Sequence, residues 1–398
     1  MIHFTLRILQ IAGALGCLSS SIYYLICLWS AAAFLRESRA GRGSLDHRAG
    51  QGGRQESLPP VSILKPLKGT DPDIYESFRS HCLQDYPEYE IIFGVSDSQD
   101  TAIASVEKLQ REFPQNEIRL VVSPHQLGAN VKVSNLEHMA EAARHQHLLV
   151  NDSDIRVESD YLRRVVAPLL DRHVGMVTCL YRGVAARTLG SRLESLGIST
   201  DFSAGVLVAR QLEGGIRFGL GSTLAFRRDE LQRIGGFHAI VDFLADDYEL
   251  GRRIAELGLG VSLSDVVVET HLPAYNFRGF LSHQLRWARG VRDSRFGGYL
   301  GLATTYGLAW GLLALLASRA ALWSCAIVVA TVLLRFAVAI AVGRGVLRDA
   351  SVWQDLWLLP FRDLLAVGVW IASFAGHTVT WRGDRFELKN GRLTRIAP

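Results

Sequence analysis

Cysteine is scarce in this chain. Cys17, Cys27, Cys82, Cys179 and Cys325 are scattered through 398 residues with no paired spacing, which argues against a disulfide framework or a zinc site and suits a reducing compartment. A charge excess is lacking too, since 43 basic residues against 39 acidic ones leave a net +4, too weak to point to nucleic acid. No internal repeat is visible. Neither G-x-G-x-x-G nor G-x-x-x-x-G-K-[ST] follows the first apolar run, where Lys65-Pro66-Leu67-Lys68-Gly69 stands instead, so any nucleotide is bound by another device.

What is abundant is apolar surface. At 48% hydrophobic residues, the chain can bury a large core and still present residues to lipid. No charge interrupts Ile8 to Leu35, a stretch long enough to span a bilayer. A cleaved signal peptide is the alternative, helped by Ala31-Ala32-Ala33, but the apolar run is too long for a usual signal core. Arg7 precedes the run and Arg36, Arg39 and Arg42 follow it, which predicts a cytoplasmic location for what comes next. Residues 36–58 read as a flexible Gly-, Arg- and Ser-rich linker.

From Pro59 short apolar runs alternate with helical stretches. Strands are predicted at Val61–Leu64, Glu90–Val95, Ile118–Val122 and Leu148–Val150, with helices between them. This alternation predicts an α/β domain over 59–274, a mostly parallel sheet with helices on both faces. Ligands of such sheets sit beyond the carboxyl ends of the strands. Asp97 lies two residues past the second strand and Asp152 two past the fourth, so both can face one crevice. Asp152 and Asp154, two residues apart, could hold a divalent cation against a diphosphate. The second half of the domain is less regular. Gly221-Ser222-Thr223 leads toward a helix through Leu231 and Ile234, and Asp246-Asp247-Tyr248-Glu249 opens another, where acids suit the helix dipole and ordinary capping is the plain alternative.

Residues 275–297 predict an amphipathic basic helix. Phe277, Phe280, Leu281, Trp287 and Val291 make its apolar side and Arg278, Arg286, Arg289, Arg292 and Arg295 surround it, a pattern suited to a membrane interface. Residues 298–381 hold two to four further spans. Tyr299–Ser318 and Ala320–Gly343 read as crossings, Trp353–Phe361 as interfacial, and Leu364–Trp381 as one more crossing. Arg335 interrupts the second, and snorkelling to the headgroups is its plainest explanation. The basic tail 382–398 should stay on the cytoplasmic side, which three crossings would contradict. One apolar stretch should therefore be re-entrant, or Trp353–Phe361 should belong to a fourth span.

Asp97, Asp152 with Asp154, Asp247 and Arg286-Trp287 are thus charged stations in order. A nucleotide-sugar transferase needs a carboxylate for the base, a metal-neutralised diphosphate, a general base and a cation on the phosphates. The chain resembles the family-2-like glycosyltransferases of GT-A fold, and more closely the ceramide glucosyltransferase family. The resemblance is carried by Ser62 to Gly69 with Asp71-Pro72, Asp85-Tyr86-Pro87, Asn130 to Leu136, Asp152-Ser153, Asp246-Asp247-Tyr248, Arg286-Trp287 and Trp381-Arg382. Val177 to Gly183, Thr200-Asp201-Phe202 and Gly205 to Arg210 resemble the bacterial hopanoid branch, whose acceptor is bacteriohopanetetrol.

The resemblance implies a multi-pass protein of the bacterial inner membrane, transferring a hexose or N-acetylhexosamine from UDP-glucose or UDP-N-acetylglucosamine to a lipid hydroxyl. It implies Asp247 as the base, with Asp246 the lesser candidate. Asp97, Lys132, Asn135 and Asp152 would bind the donor, and Asp152 and Asp154 would hold Mg2+ or Mn2+. His283 stands where the [QR]-x-x-R-W motif has Gln or Arg; with Gln284, Arg286 and Trp287 it would clamp the diphosphate. Solvated helix residues are the plain alternative for Lys132 and Asn135, and a core histidine for His283. The competing functions are a processive polysaccharide synthase, for which the spans look too few, and a non-catalytic membrane scaffold.

Overall fold

The computed structural model describes residues 2–50 and 58–396, with residues 2 and 41–50 described by backbone alone. Helix α1 (Ile2–Gly50) is followed in order by β1 (Val61–Pro66), α2 (Ile74–Cys82), β2 (Tyr89–Val95), α3 (Ile103–Glu112), β3 (Glu117–Val122), α4 (Val131–Ala142), β4 (His147–Val150) and β5 (Ile155–Arg156). Next come α5 (Tyr161–Val166), β6 (Val174–Val184), α6 (Leu189–Gly197), α7 (Ser203–Leu212), β7 (Leu224–Arg227), α8 (Arg228–Arg233), α9 (Asp246–Glu256) and β8 (Gly260–His271). The last part holds α10 (Phe277–Ser294), α11 (Phe296–Gly301), α12 (Gly307–Ser318), α13 (Leu322–Ala339), α14 (Ser351–Asp355), α15 (Leu359–Ser373), β9 (Thr378–Trp381), β10 (Asp384–Lys389) and β11 (Arg392–Arg395).

These elements form two compact units, Gly41–Ala186 with Glu213–Pro273 and Gly383–Pro398, and Met1–Ala40 with Arg187–Leu212 and Ala274–Arg382. The first is built on a sheet of order β3-β2-β1-β4-β7-β6-β8-β5. Pairs β1–β2, β1–β4, β2–β3 and β6–β8 are parallel, and only β7 and β5 run against the rest. Strands β1, β2 and β4 are almost entirely buried, as expected of parallel strands covered on both faces. This mostly parallel, helix-covered sheet agrees with the expected GT-A fold. The four predicted strands are present. Strands β6, β7 and β8 complete the sheet where the sequence looked irregular, because β7 has only four residues and too few positions to show a period.

The topology sets the crevice. Parallel β2, β1 and β4 end at the same edge, and antiparallel β7 begins there. Asp97, Lys65, Asp152 and the Gly221-Ser222-Thr223 turn therefore share one rim. The chain's end also belongs to this unit. Hairpin β10–β11 bonds the loop before α9, with Leu244 N donating to Gly391 O at 3.0 Å and Leu393 N to Asp242 O at 2.7 Å. The expected basic tail is thus folded onto the sheet unit.

The second unit is helical. Its helices include three long and apolar enough to cross a membrane, at His3–Ala40, Leu322–Val346 and Ser351–Ser373, and a fourth if α11 and α12, bent by 49°, count as one span. Two expectations change here. Trp353–Phe361 belongs to the Ser351–Ser373 candidate span, and the predicted crossing Leu364–Trp381 ends at Ser373, with residues 378–381 forming β9. Helix α1 continues to Gly50, where a linker was expected from residue 36; the linker residues 51–57 lie outside the described residues. Arg36, Glu37, Arg39 and Ala40 are strong helix formers and carry the helix past residue 36.

Helix α1 meets α12 through Gly13 and Gly16, where an added Cβ would lie 2.7 Å from Ala314 N and 2.2 Å from a Trp310 ring carbon. Small residues let membrane helices approach this closely. Ser20 and Tyr24 of α1 donate to the carbonyls of Thr304 and Thr305 at 2.8 and 2.9 Å, satisfying backbone groups at the α11–α12 break. Phe280 of α10 is buried with Leu193, Leu196, Ala339, Leu358 and Leu359, so part of the apolar side expected to face lipid packs on protein. Arg289 and Arg292 donate to the carbonyls of Ala375, Thr378 and Ser373, serving the end of α15 rather than headgroups. Arg335 does not snorkel: it is 6% exposed and pairs with Asp201 and Asp363.

Candidate active site

Asn151 fixes the Asp152 turn. It is fully buried, donates to Tyr161 Oη at 2.9 Å and Ser222 O at 2.6 Å, and its Oδ1 faces His81 Nε2 at 3.2 Å. One side chain thereby ties the end of β4 to the turn before β7. Below it, Lys65 has no solvent exposure and donates from Nζ to Asp152 O at 3.0 Å. Burial pulls its ammonium down to about 7, against the charges of Asp154 and Asp152.

Two further loops converge on Asp152. Asn130 caps α4, accepting from Val133 N, and its Nδ2 donates to Phe243 O at 2.8 Å. Ala129 N donates to Asp242 Oδ1 at 2.9 Å. These bonds pin the start of α4 to the loop that enters α9, so Lys132 reaches both Asp152 Oδ1 at 2.8 Å and Asp246 Oδ2 at 3.0 Å. Burial opposes the charge on Lys132, but Asp152, Asp246 and Asp247 outweigh it and hold its ammonium above the usual lysine range.

Asp247 is not a simple helix cap. Its Oδ1 accepts from Tyr248 N at 2.7 Å, while Oδ2 reaches across to accept from Gly221 N at 2.7 Å. Burial, and then the charge of Asp246, raise its carboxyl to about 6. A carboxyl poised there can take a proton near neutral pH.

Gly221 decides whether a cation fits. A Cβ there would lie 3.2 Å from Asp152 Oδ2 and 3.1 Å from Asp247 Oδ2, so both carboxylate oxygens border a space that glycine leaves open. Lys132 occupies Asp152 Oδ1 and leaves Oδ2 toward that space. Oxygen donors of this hardness suit Mg2+ or Mn2+, which take one or two carboxylates and complete their shell with water and phosphate. Among the described residues no three acidic, His or Cys side chains are disposed to hold a metal ion by themselves, so Asp152 would supply the main protein ligand. Asp154 is tied elsewhere, its Oδ2 accepting from Thr270 Oγ1 at 2.6 Å, and burial with the Asp152 charge raises its carboxyl to about 6.

Of the other expected residues, Asp97 is exposed in the loop after β2 and accepts from Gln99 N at 2.9 Å. Asn135 is buried, with Nδ2 3.5 Å from Gly94 O. His283, Gln284, Arg286 and Trp287 lie on α10 in the helical unit. His283 stacks on Tyr275 with ring centres 5.3 Å apart and tilts against Trp287 at 5.4 Å. Its Nδ1 stands 3.3 Å from buried Glu194 Oε1, close enough for an ion pair when protonated but without hydrogen-bond alignment. Gln284 Nε2 donates to Glu194 Oε2 at 2.6 Å and its Oε1 accepts from Arg362 at 2.9 Å. Lys65, Glu194 and Arg362 went unrecognised in the sequence. Lys65 alone left a trace there, as a charge at the end of an otherwise apolar strand.

The family model for glycosyl transferase family 21 matches residues 13–394. The chain belongs to that family. It is 25% identical over 234 residues to ceramide glucosyltransferase 3 of Caenorhabditis elegans, covering 58% of this chain and 50% of that one. It is 35% identical over 120 residues to a ceramide glucosyltransferase of Komagataella phaffii, covering 28% and 24%. The chain thus spans about half the length, or less, of the curated relatives it matches. A solved mannosyltransferase of Pyrobaculum calidifontis, in complex with GDP-Man and Mn2+, is similar at TM-score 0.49 and 19% identity, over 88% of this chain and 99% of that one.

Proposed function

We propose that this protein is a membrane-bound inverting glycosyltransferase that moves a hexose or N-acetylhexosamine from a UDP-sugar to a hydroxyl of a membrane lipid. The observation that carries the reading is that Lys132 bridges Asp152 and Asp246 while Asp152 and Asp247 meet at Gly221, at the carboxyl edge of a buried sheet. Family membership and the candidate spans support it. In this reading the acceptor oxygen attacks C1 of the sugar, the bond from C1 to the diphosphate breaks with its electron pair leaving on phosphate, and Asp247 takes the hydroxyl proton. Lys132 holds Asp152 and Asp246 in place and lowers the cost of charge on the leaving diphosphate. Mg2+ or Mn2+ held by Asp152, with Asp154 as a second ligand only after Thr270 releases it, would neutralise the leaving charge. Asp97 and Asn135 serve the nucleotide side, and His283, Gln284, Arg286 and Trp287 the diphosphate.

The acceptor is a hopanoid polyol such as bacteriohopanetetrol, or ceramide, and the sheet unit faces the cytoplasm of a bacterial inner membrane. Incubating membranes that contain the protein with labelled UDP-glucose or UDP-N-acetylglucosamine tests this. A lipid whose mass rises by one sugar is expected, and a labelled polymer would favour the processive synthase instead.

A further inference from the structure

Asn390-Gly391 lies among Phe386, Leu388 and Leu393, apolar residues that alternate with Arg385, Glu387, Lys389 and Arg392. Both turn residues have positive φ, 51° and 77°, as a two-residue type I′ hairpin requires. The three apolar side chains are buried and the four charged ones exposed. An isolated two-stranded hairpin is marginal in water, so β10–β11 takes its stability from what it docks on. One docking partner is the loop that delivers Asp247.

Leu393 pairs with Leu388 across the hairpin, while its N–H faces the other way and donates to Asp242 O at 2.7 Å. Leu244 N returns a bond to Gly391 O at 3.0 Å. Residues 242–244 thereby become one more strand on the edge of β11, with Phe243 opposite Arg392. The Phe243 ring has two guanidinium neighbours, Arg392 at 5.1 Å and Arg253 of α9 at 5.7 Å, a contact favourable to both cations. The other side of the loop is tied to the start of α4, through Asn130 Nδ2 on Phe243 O and Ala129 N on Asp242 Oδ1. Asp246 and Asp247 follow directly after Ala245, so any shift of the loop is carried into them.

We infer that β11 is a positioning strand for the proposed base. Docked on residues 242–244, it holds the first turn of α9 so that Asp247 meets Gly221 and Asp246 meets Lys132. The inference rests on Asp247 acting as base in the transfer reading above. Gly391, Arg392 and Leu393 touch no reacting group and act only through the loop. Held from the α4 side alone, the loop can pivot about Asn130, and a shift of about one ångström at Asp247 costs turnover about 100-fold.

Leu393→Pro removes the N–H given to Asp242 and spares the β10 ladder, because that N–H faces away from it. With the full chain in lipid nanodiscs, turnover per UDP-binding site should fall roughly 10- to 100-fold while UDP affinity is kept. The Gly221 amide, which donates to Asp247 Oδ2, should exchange faster with solvent deuterium, whereas amides of β1 and β2 keep their protection. General unfolding would expose all of them alike. Unchanged turnover, or an unchanged Gly221 amide, overturns the inference. If Leu393→Pro does not fold, a second variant decides. Phe243 and Arg392 face each other as a non-hydrogen-bonded antiparallel pair, a spacing that suits a disulfide. Phe243→Cys with Arg392→Cys should turn over at least as fast oxidised as reduced, since the bond fixes the docked strand. A slower oxidised form overturns the inference, because the strand would then have to leave during turnover. If the wild type glycosylates no lipid, the transfer reading fails, and Gly221 exchange alone decides what β11 holds.

Discussion

In the proposed reaction Asp247 is the residue on which the chemistry turns. Burial and the neighbouring Asp246 raise its carboxyl to about 6. A base works only when deprotonated, so kcat/KM, which reports the free enzyme, should be level above that value and fall as pH drops through it. A pH profile of kcat/KM flat down to pH 4 would contradict the assignment. Asp152 and Asp247 were legible in the sequence, because each follows a strand or opens a helix on one rim. Asp154 was legible only as half of a D-x-D pattern, and spacing could not reveal that Thr270, far away in sequence, would hold its Oδ2. Lys132 was open to a solvated reading. Its burial and its two carboxylate partners come from loops distant in the chain, which no local pattern records.

At the scale of elements, the site is a meeting of turns. The Asp152 turn, the Gly221 turn, the start of α4 and the start of α9 are joined by Asn151, Asn130 and Asp242. Gly221→Ala would place a methyl group within 3.2 Å of both Asp152 Oδ2 and Asp247 Oδ2. Activity should fall about 100-fold, the scale of a one-ångström misplacement, with little change in thermal stability, since the turn lies at the rim. Unchanged turnover in that variant would show that the space between the carboxylates is unused. The first four strands were readable as short apolar runs between helices. Strands β6 to β8 were not, since an antiparallel strand inserted between parallel ones breaks the βα rhythm on which the reading relied.

For the whole molecule, membrane topology follows from where the chain ends. Hairpin β10–β11 is bonded to the loop before α9, so the segment between Pro273 and Gly383 must return to the side it left. With Leu322–Val346 and Ser351–Ser373 as two candidate crossings, an even count requires the bent pair α11–α12 to enter and turn back, and with 12 residues α12 reaches only about 18 Å of a core about 30 Å thick. An impermeant thiol reagent should label Arg319→Cys and Arg395→Cys from one side and Arg348→Cys from the other. Labelling of positions 319 and 395 from opposite faces would overturn this. Charge bias already demanded an even number of crossings. Which stretch would turn back was hidden, because hydropathy counts apolar residues and takes no account of a bend.

In the proposed reaction Asp247 accepts a proton from a lipid hydroxyl while the surrounding carboxylates and Lys132 hold the donor. This is tested by transfer of labelled sugar from a UDP donor into lipid by wild type and by Asp247→Asn, with UDP affinity recorded on the same preparations. Turnover should fall by at least about 100-fold with UDP affinity largely retained. Equal loss of UDP affinity, or a variant that still glycosylates lipid at the wild-type rate, would contradict it.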